Sequence, residues 1–144
     1  MTVLDALADG WGWTEIGFAQ VHATGPTGHV LASDTEGCFH HLDPELGTIE
    51  ALGDAQAARA HFARSDVREV WAAATLVEAA RERLGECPDG SIYTLTPLAL
   101  LEGDYHHDNL WICPLEELIR FTGDVARQTR DLPDGAQYRI EISD

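Results

Sequence analysis

Segment 17–52 alternates short β-rich runs with compact turn signals, and this alternation restricts the possible folds more than any other feature of the sequence. The turn signals combine Gly with Pro or Asp, and they are Gly25–Pro26–Thr27–Gly28, Asp34–Thr35–Glu36–Gly37 and Asp43–Pro44–Glu45–Leu46–Gly47. The runs between them predict four strands: Phe18–Thr24, His29–Ser33, Cys38–Leu42 and Thr48–Leu52. Because turns this short join antiparallel neighbours, the segment predicts an antiparallel meander.

Helices are predicted both before and after the meander in the sequence. A short helix from Thr2 to Ala8, with Thr2 as its cap, is expected to be broken by Gly10 and Gly12, with Trp11 and Trp13 packing it onto the sheet. The other predicted elements are a helix Ala55–Ala63 capped by Asp54, a helix Val67–Leu84 capped by Asp66 and ended by Gly85, strands Ser91–Leu95, Leu110–Ile112 and Ala136–Ile142, and a helix that starts with Pro114 in its first turn and has a possible kink at Gly123. These elements predict one α+β domain over residues 1–144, an antiparallel β-meander sheet with helices packed on one side.

The composition is that of a chain with its own hydrophobic core. The chain has 144 residues, of which 44% are hydrophobic, and it has no apolar run long enough to cross a membrane. Its first residues lack the basic region and continuous apolar stretch of a secretion leader. The three cysteines, Cys38, Cys87 and Cys113, form an odd set without a CxxC spacing, which favours reduced thiols and a cytoplasmic location.

Net charge is the most informative global property. Twenty-five acidic residues stand against nine basic ones, all of them Arg, which gives a formal charge of −16. A surface of this charge repels nucleic acid and anionic membranes and attracts a basic protein partner. The same charge also suits simple solubility or an organism with an acidic proteome, and the sequence leaves these alternatives open.

No assembled catalytic or metal-binding motif occurs, so the sequence predicts no catalytic residue, no metal ligand, no cofactor and no enzyme. His40–His41 lies in a predicted strand, where adjacent side chains point to opposite faces and cannot chelate one ion together. His106–His107 with Asp104 and Asp108 lies in a polar loop and could do so, although its spacing fits no zinc pattern. Cys38 beside a histidine could form a thiol–base pair, but a buried, inert cysteine is the simpler interpretation.

The acidic residues in predicted loops are the candidate binding residues. They are Asp34, Glu36, Asp43, Glu45, Asp104 and Asp108, with Asp131 and Asp134 in a further turn. If several of them lie on one face, they form a negative patch suited to a basic protein.

Two sets of residues resemble a bacterial family, the C-terminal domain of the type VI secretion immunity protein that guards against a DNase toxin. The first set comprises Gly17–Phe18, Thr24, Gly28–His29–Val30, Asp34–Thr35–Glu36–Gly37, Asp43–Pro44–Glu45 and Ile49. The second comprises Pro114–Leu115, Glu117, Gly123–Asp124, Gln128 and Asp131–Leu132–Pro133–Asp134–Gly135. The resemblance extends from about Trp11 to Ile142. The chain departs from the family pattern at His40, where an aromatic residue is frequent, and at Gly25–Pro26–Thr27.

The resemblance implies a non-enzymatic function. It implies an immunity protein that binds and neutralises a cognate toxin in the cytoplasm, and a nuclease is the toxin that an acidic protein would suit. Two other functions remain open on the residues: an interaction or regulatory module without a toxin, and a metal-binding protein that uses the loop at His106–His107.

Overall fold

The structure of the chain, a computed structural model, describes residues 2–95 and 110–129. Its elements in chain order are α1 (Val3–Trp11), a short 3₁₀ turn (Gly12–Thr14), β1 (Phe18–Thr24), β2 (Val30–Asp34), β3 (Phe39–Asp43), β4 (Thr48–Gly53), α2 (Ala55–Ala63), α3 (Ser65–Ala72), α4 (Ala74–Leu84), β5 (Ser91–Leu95), β6 (Leu110–Pro114) and α5 (Leu115–Thr129). The predicted strand Ala136–Ile142 lies outside the described residues. Among the described residues, no helix combines the length and the apolar character that crossing a membrane requires.

The predicted meander is confirmed, and with it the α+β class. Strands β1 to β4 form one antiparallel sheet in sequence order, and each predicted strand agrees with the observed one within a residue. Asp34 accepts hydrogen bonds from the backbone N–H groups of Glu36 and Cys38, which fixes the β2–β3 turn. Strands β5 and β6 pair separately as an antiparallel ribbon, and the N–H of Tyr93 donates to the carbonyl of Pro26 at 3.1 Å.

One face of the meander packs on α1 and α5. Val30, Ala32 and Leu42 point to this face and join a core made with apolar residues of the two helices, among them Ala6, Leu7, Trp11, Leu118 and Ile119. The indole N–H of Trp11 donates to the carbonyl of Ile119, and that of Trp13 to the carbonyl of Gly123. Trp11 at the end of α1 and Trp13 in the following turn are therefore hydrogen-bonded to α5, and both pack in the core that the helices share with the sheet.

Helix α1 crosses α5 at two glycines. A Cβ atom at Gly10 would lie 2.8 Å from the Cα of Arg120, and one at Gly123 would lie 2.9 Å from Cδ1 of Trp11. The prediction that Gly10 breaks α1 is wrong, because the helix continues through Gly10 to Trp11, while Gly12 is its C-cap residue as expected of a helix end. Gly123 likewise lies inside a helix, α5. The role of Gly10 and Gly123 is to let two backbones come closer than any side chain would permit.

The predicted helix Val67–Leu84 is wrong as a single element. The chain forms α3 and α4, separated by Ala73 in the left-handed region at φ 43° and ψ 47°. Asp66 is not the cap, because α3 begins at Ser65 and the carboxylate of Asp66 instead pairs with Arg64 at 2.7 Å. Trp71 of α3 packs against the sheet, with its ring 5.8 Å from that of His29 and 5.5 Å from that of His41. Tertiary packing of this kind can outweigh the helical preference of the local sequence.

The helices contact both faces of the meander, not the single side that was expected. Leu31 and His41 are paired on β2 and β3 and point away from the core shared with α1 and α5. The ring of His41 lies 5.4 Å from that of Phe62 in α2 and 5.5 Å from that of Trp71 in α3. These two helices therefore cover part of the second face.

Candidate functional site

Asp34 and Glu36 occupy the β2–β3 turn and differ in their surroundings. Besides accepting two backbone N–H groups, Asp34 contacts Nε2 of His40 through its second carboxylate oxygen at 2.8 Å. The hydrogen bond from His40, followed by that from the backbone of Cys38, holds the pKa of Asp34 below its usual range. Glu36 is exposed at the tip of the turn. The carboxylate of Asp34 thus stabilises the turn, while that of Glu36 is exposed to solvent.

Asp43 and Glu45 form the equivalent pair in the β3–β4 turn. A carboxylate oxygen of Asp43 accepts from the backbone N–H groups of Glu45 and Leu46 at 2.9 and 3.1 Å. Glu45 is half-buried and lines an open groove beside α3 and the start of α4. The side chain of Leu46 is 69% exposed, so an apolar group stands next to the acidic ones.

The structure does not bring these two acidic pairs together. Their turns lie at opposite ends of β3, whose five residues span about 17 Å at the usual rise of a strand. Asp104 and Asp108 lie outside the described residues, as do His106–His107, Asp131 and Asp134. Among the described residues, the predicted patch therefore consists of two separate acidic turns.

A chain of three histidines lies on the second face of the sheet, and sequence reasoning missed it. Nδ1 of His29 lies 3.0 Å from Nε2 of His41, and Nδ1 of His41 lies 3.0 Å from Nε2 of His61 in α2. His29 is fully buried, and its Nε2 atom has no hydrogen-bond partner. Burial, followed by the charges of His29 and His61, lowers the pKa of His41 to about 4, so this imidazole is neutral near pH 7.

His40 and His41 point to opposite faces, as strand alternation predicts. His40 turns toward Asp34 and the edge of Phe18, on the face that packs on α1. Asp34, Cys38 and His40 bring one ligand atom each within 4.8 Å of the others. Cys38 is half-buried, and its Sγ contacts the carbonyl of Phe39 at 3.6 Å. Cys38, Cys87 and Cys113 are all free cysteines.

Comparison with known protein families adds information that the geometry of these residues does not give. Residues 57–126, just under half of the chain, match the family described as T6SS immunity protein Tdi1, C-terminal. The resemblance predicted from the sequence is confirmed. The match to the Tdi1 C-terminal family begins in α2 and ends in α5, so it includes Pro114–Leu115 and Gly123–Asp124 but not the meander.

A solved structure shows a similar fold. It is described as the crystal structure of Atu4351 from Agrobacterium tumefaciens, and it aligns with 84% of this chain at a TM-score of 0.57 and 15% sequence identity. The alignment covers 62% of that protein's chain. At this identity the similarity concerns the fold alone. No curated protein matches the sequence.

Proposed function

We propose that the chain is a type VI secretion immunity protein that binds and neutralises a cognate toxin in the cytoplasm and catalyses no reaction itself. The observation that carries this proposal is the match of residues 57–126 to the Tdi1 C-terminal family. An immunity protein needs an interface complementary to its toxin and no catalytic machinery. That requirement suits a chain without an assembled catalytic motif.

The charge of the chain favours a basic partner. With a formal charge of −16, the protein attracts a positively charged surface over a distance of several ångströms beyond contact. A nuclease toxin has such a surface, because it must hold the phosphates of its substrate. We therefore propose that the toxin is a nuclease and that this protein neutralises it by blocking its phosphate-binding cleft.

We propose that acidic residues of the two turns contact the toxin, and that the two ends of β3 do so to different extents. Glu36 lies at one end of β3, and Glu45 beside the exposed Leu46 at the other. A compact cleft on the toxin would contact one end more than the other. Asp34 and Asp43 would act indirectly, since their carboxylates are occupied by backbone N–H groups.

The first experiment identifies the partner. The protein serves as bait in lysate of its own organism, at low and at high salt, and the captured proteins are identified by mass spectrometry. A basic toxin released by salt, whose toxicity in cells is abolished by co-expression of this chain, supports the proposal. Capture of no toxin at either salt, together with a failure to protect cells from the toxins of the same organism, contradicts it.

Charge-neutralising variants then locate the interface. Glu36→Gln or Glu45→Gln is expected to slow association with the captured toxin roughly two- to fivefold at low salt and to flatten its salt dependence. Glu82→Gln is the matched control, because it removes the same charge from an exposed position on α4. Stopped-flow association rates measure the effect. Equal rates for all three variants would exclude both turns as contacts.

A further inference from the structure

Three potential metal ligands converge on the second face of the meander. His41 on β3 and Glu50 on β4 are directly paired in the antiparallel register, and His61 reaches them from α2. One ring nitrogen of each histidine and one carboxylate oxygen of Glu50 all lie within 4.8 Å of one another. The three residues come from three different elements, so their convergence is a property of the fold.

We propose that His41, Glu50 and His61 bind one Zn²⁺ ion, with a fourth position open to solvent. Two imidazoles and a carboxylate are a ligand set that zinc takes in proteins. At Zn–N distances of 2.0–2.1 Å, two nitrogens of a tetrahedral site lie about 3.3 Å apart. Nδ1 of His41 and Nε2 of His61 are 3.0 Å apart, so a shift of a few tenths of an ångström would admit the ion.

The surroundings of His41 fit the role of a zinc ligand. Its other nitrogen, Nε2, lies 3.0 Å from Nδ1 of the buried His29, so it can donate its N–H there and hold the ring in orientation. The rings of Phe62 and Trp71 pack against His41 and shield the inner side of the site. Glu50 is exposed, which leaves the outer side open for entry of the ion.

The second convergent group, Asp34, Cys38 and His40, fits less well. Both carboxylate oxygens of Asp34 are occupied, one by two backbone N–H groups and the other by Nε2 of His40. Binding an ion there would replace the hydrogen bond between Asp34 and His40, while the other carboxylate oxygen of Asp34 already accepts the two N–H groups of the turn. At the first site, the ion replaces only the hydrogen bond between His41 and His61.

Helices α2 and α3 bury few side chains, and a bound zinc ion would add a link between them and the sheet. Ala58 is the one buried residue of α2, and α3 has none. An ion that links β3, β4 and α2 would fasten this pair of helices to the sheet, because binding to the folded state alone stabilises that state. This proposal is independent of the proposed immunity function and can fail or succeed without it.

The test is a zinc titration of the full-length protein without a histidine tag, after treatment with EDTA and dialysis. Calorimetry is expected to give one Zn²⁺ per chain, and the melting temperature is expected to rise by roughly 5–10 °C at a hundredfold excess over Kd. Mg²⁺, which prefers oxygen ligands, should have no such effect. Glu50→Gln and His61→Gln are expected to weaken zinc binding roughly tenfold or more, while Glu82→Gln leaves it unchanged.

Three results would overturn the proposal. One is the absence of binding at zinc concentrations up to about 0.1 mM, far above the Kd of a structural zinc site. Another is unchanged affinity in both ligand variants, each of which must first be shown to be folded by circular dichroism. The third is loss of binding in Cys38→Ser, or an intense thiolate-to-cobalt charge-transfer band when Co²⁺ replaces Zn²⁺, because either would place the ion at the second group.

Discussion

Asp34 shows how a turn acid in a highly acidic protein can serve the fold. One of its oxygens accepts the N–H groups of Glu36 and Cys38, and the other accepts from His40. Its carboxylate is therefore held by hydrogen bonds within the hairpin. An acidic residue in a loop is thus not by itself surface charge available to a partner, and Glu36 in the same turn is the better candidate.

Removal of the Asp34 carboxylate is expected to reduce stability in a pH-dependent way. The hydrogen bonds lower the folded-state pKa of Asp34 below its ordinary value of 3.8, so the stabilisation is present above that pH and is lost as pH falls through the folded-state pKa. Asp34→Ala should lower the melting temperature by several degrees at pH 5–7 and progressively less below pH 3.8. Thermal unfolding at several pH values measures this, with Glu36→Ala as the control. A difference between wild type and Asp34→Ala that stays constant down to pH 2 would contradict it.

At the scale of elements, α1 and α5 cross with no room for a side chain between their backbones at two glycines. Gly10 and Gly123 meet there, and the indoles of Trp11 and Trp13 donate across it to carbonyl groups of α5. The ion pair between Asp9 and Arg120 at 2.7 Å borders the same contact. Shape, more than the hydrophobic area available, therefore sets the distance between these helices.

Substitution at this crossing is expected to be costly. Gly123→Ala or Gly10→Ala should lower the free energy of unfolding by about 1–3 kcal/mol or more, because the added methyl group meets backbone atoms that cannot move aside. Gly12→Ala is the control, since a Cβ there meets nothing within 4 Å and its φ is −61°. Urea denaturation gives the values. If Gly123→Ala were as stable as Gly12→Ala, the close packing of the two helices would be wrong.

The sequence predicted the elements that local residues determine. The meander strands were placed within one residue because Gly, Pro and Asp mark each turn, and Thr2 and Asp54 cap their helices as expected. The break at Ala73 was missed because the local sequence favours an uninterrupted helix. Gly10 was misread because its close approach to α5 depends on a partner more than a hundred residues away.

The histidine chain was partly accessible to sequence reasoning. His29 lies two residues before Leu31, and Leu31 pairs with His41. Because side chains two residues apart on a strand share a face, the correct register places both histidines on one face. The arrival of His61 from α2 depends on how that helix packs, which no local pattern gives. The turns at Asp34–Gly37 and Asp43–Gly47, by contrast, were predicted correctly as turns, and only their separation along β3 required the structure.

At the scale of the whole molecule, the excess of acidic residues lowers the stability of the folded state through electrostatic repulsion. Because twenty-five acidic residues stand against nine arginines in one domain, the excess negative charges repel each other more in the folded state than in the unfolded state. Ion pairs such as Arg120–Asp9 and Arg127–Asp124 relieve this only locally, and they are largely solvent-exposed. The folded state is therefore expected to respond to ionic strength.

Added salt is expected to stabilise the protein. Raising NaCl from 0.01 to 0.5 M shortens the screening distance from about 30 Å to less than 10 Å and should raise the melting temperature by a few degrees. A variant carrying both Glu78→Gln and Glu82→Gln should respond less, because it removes two exposed acids. Differential scanning calorimetry measures both series. A melting temperature that falls with salt would show that ion pairs outweigh the repulsion.

The close contact between Gly10 and Gly123 limits which segments of such a chain can be exchanged with those of a relative. Gly10 lies outside the segment that matches the Tdi1 C-terminal family, and Gly123 lies inside it. A side chain at either position would clash with the other helix, so each glycine is required by the partner helix. A chimaera that takes residues 57–126 from a relative is expected to keep this close packing only if the donor also carries glycine at the crossing.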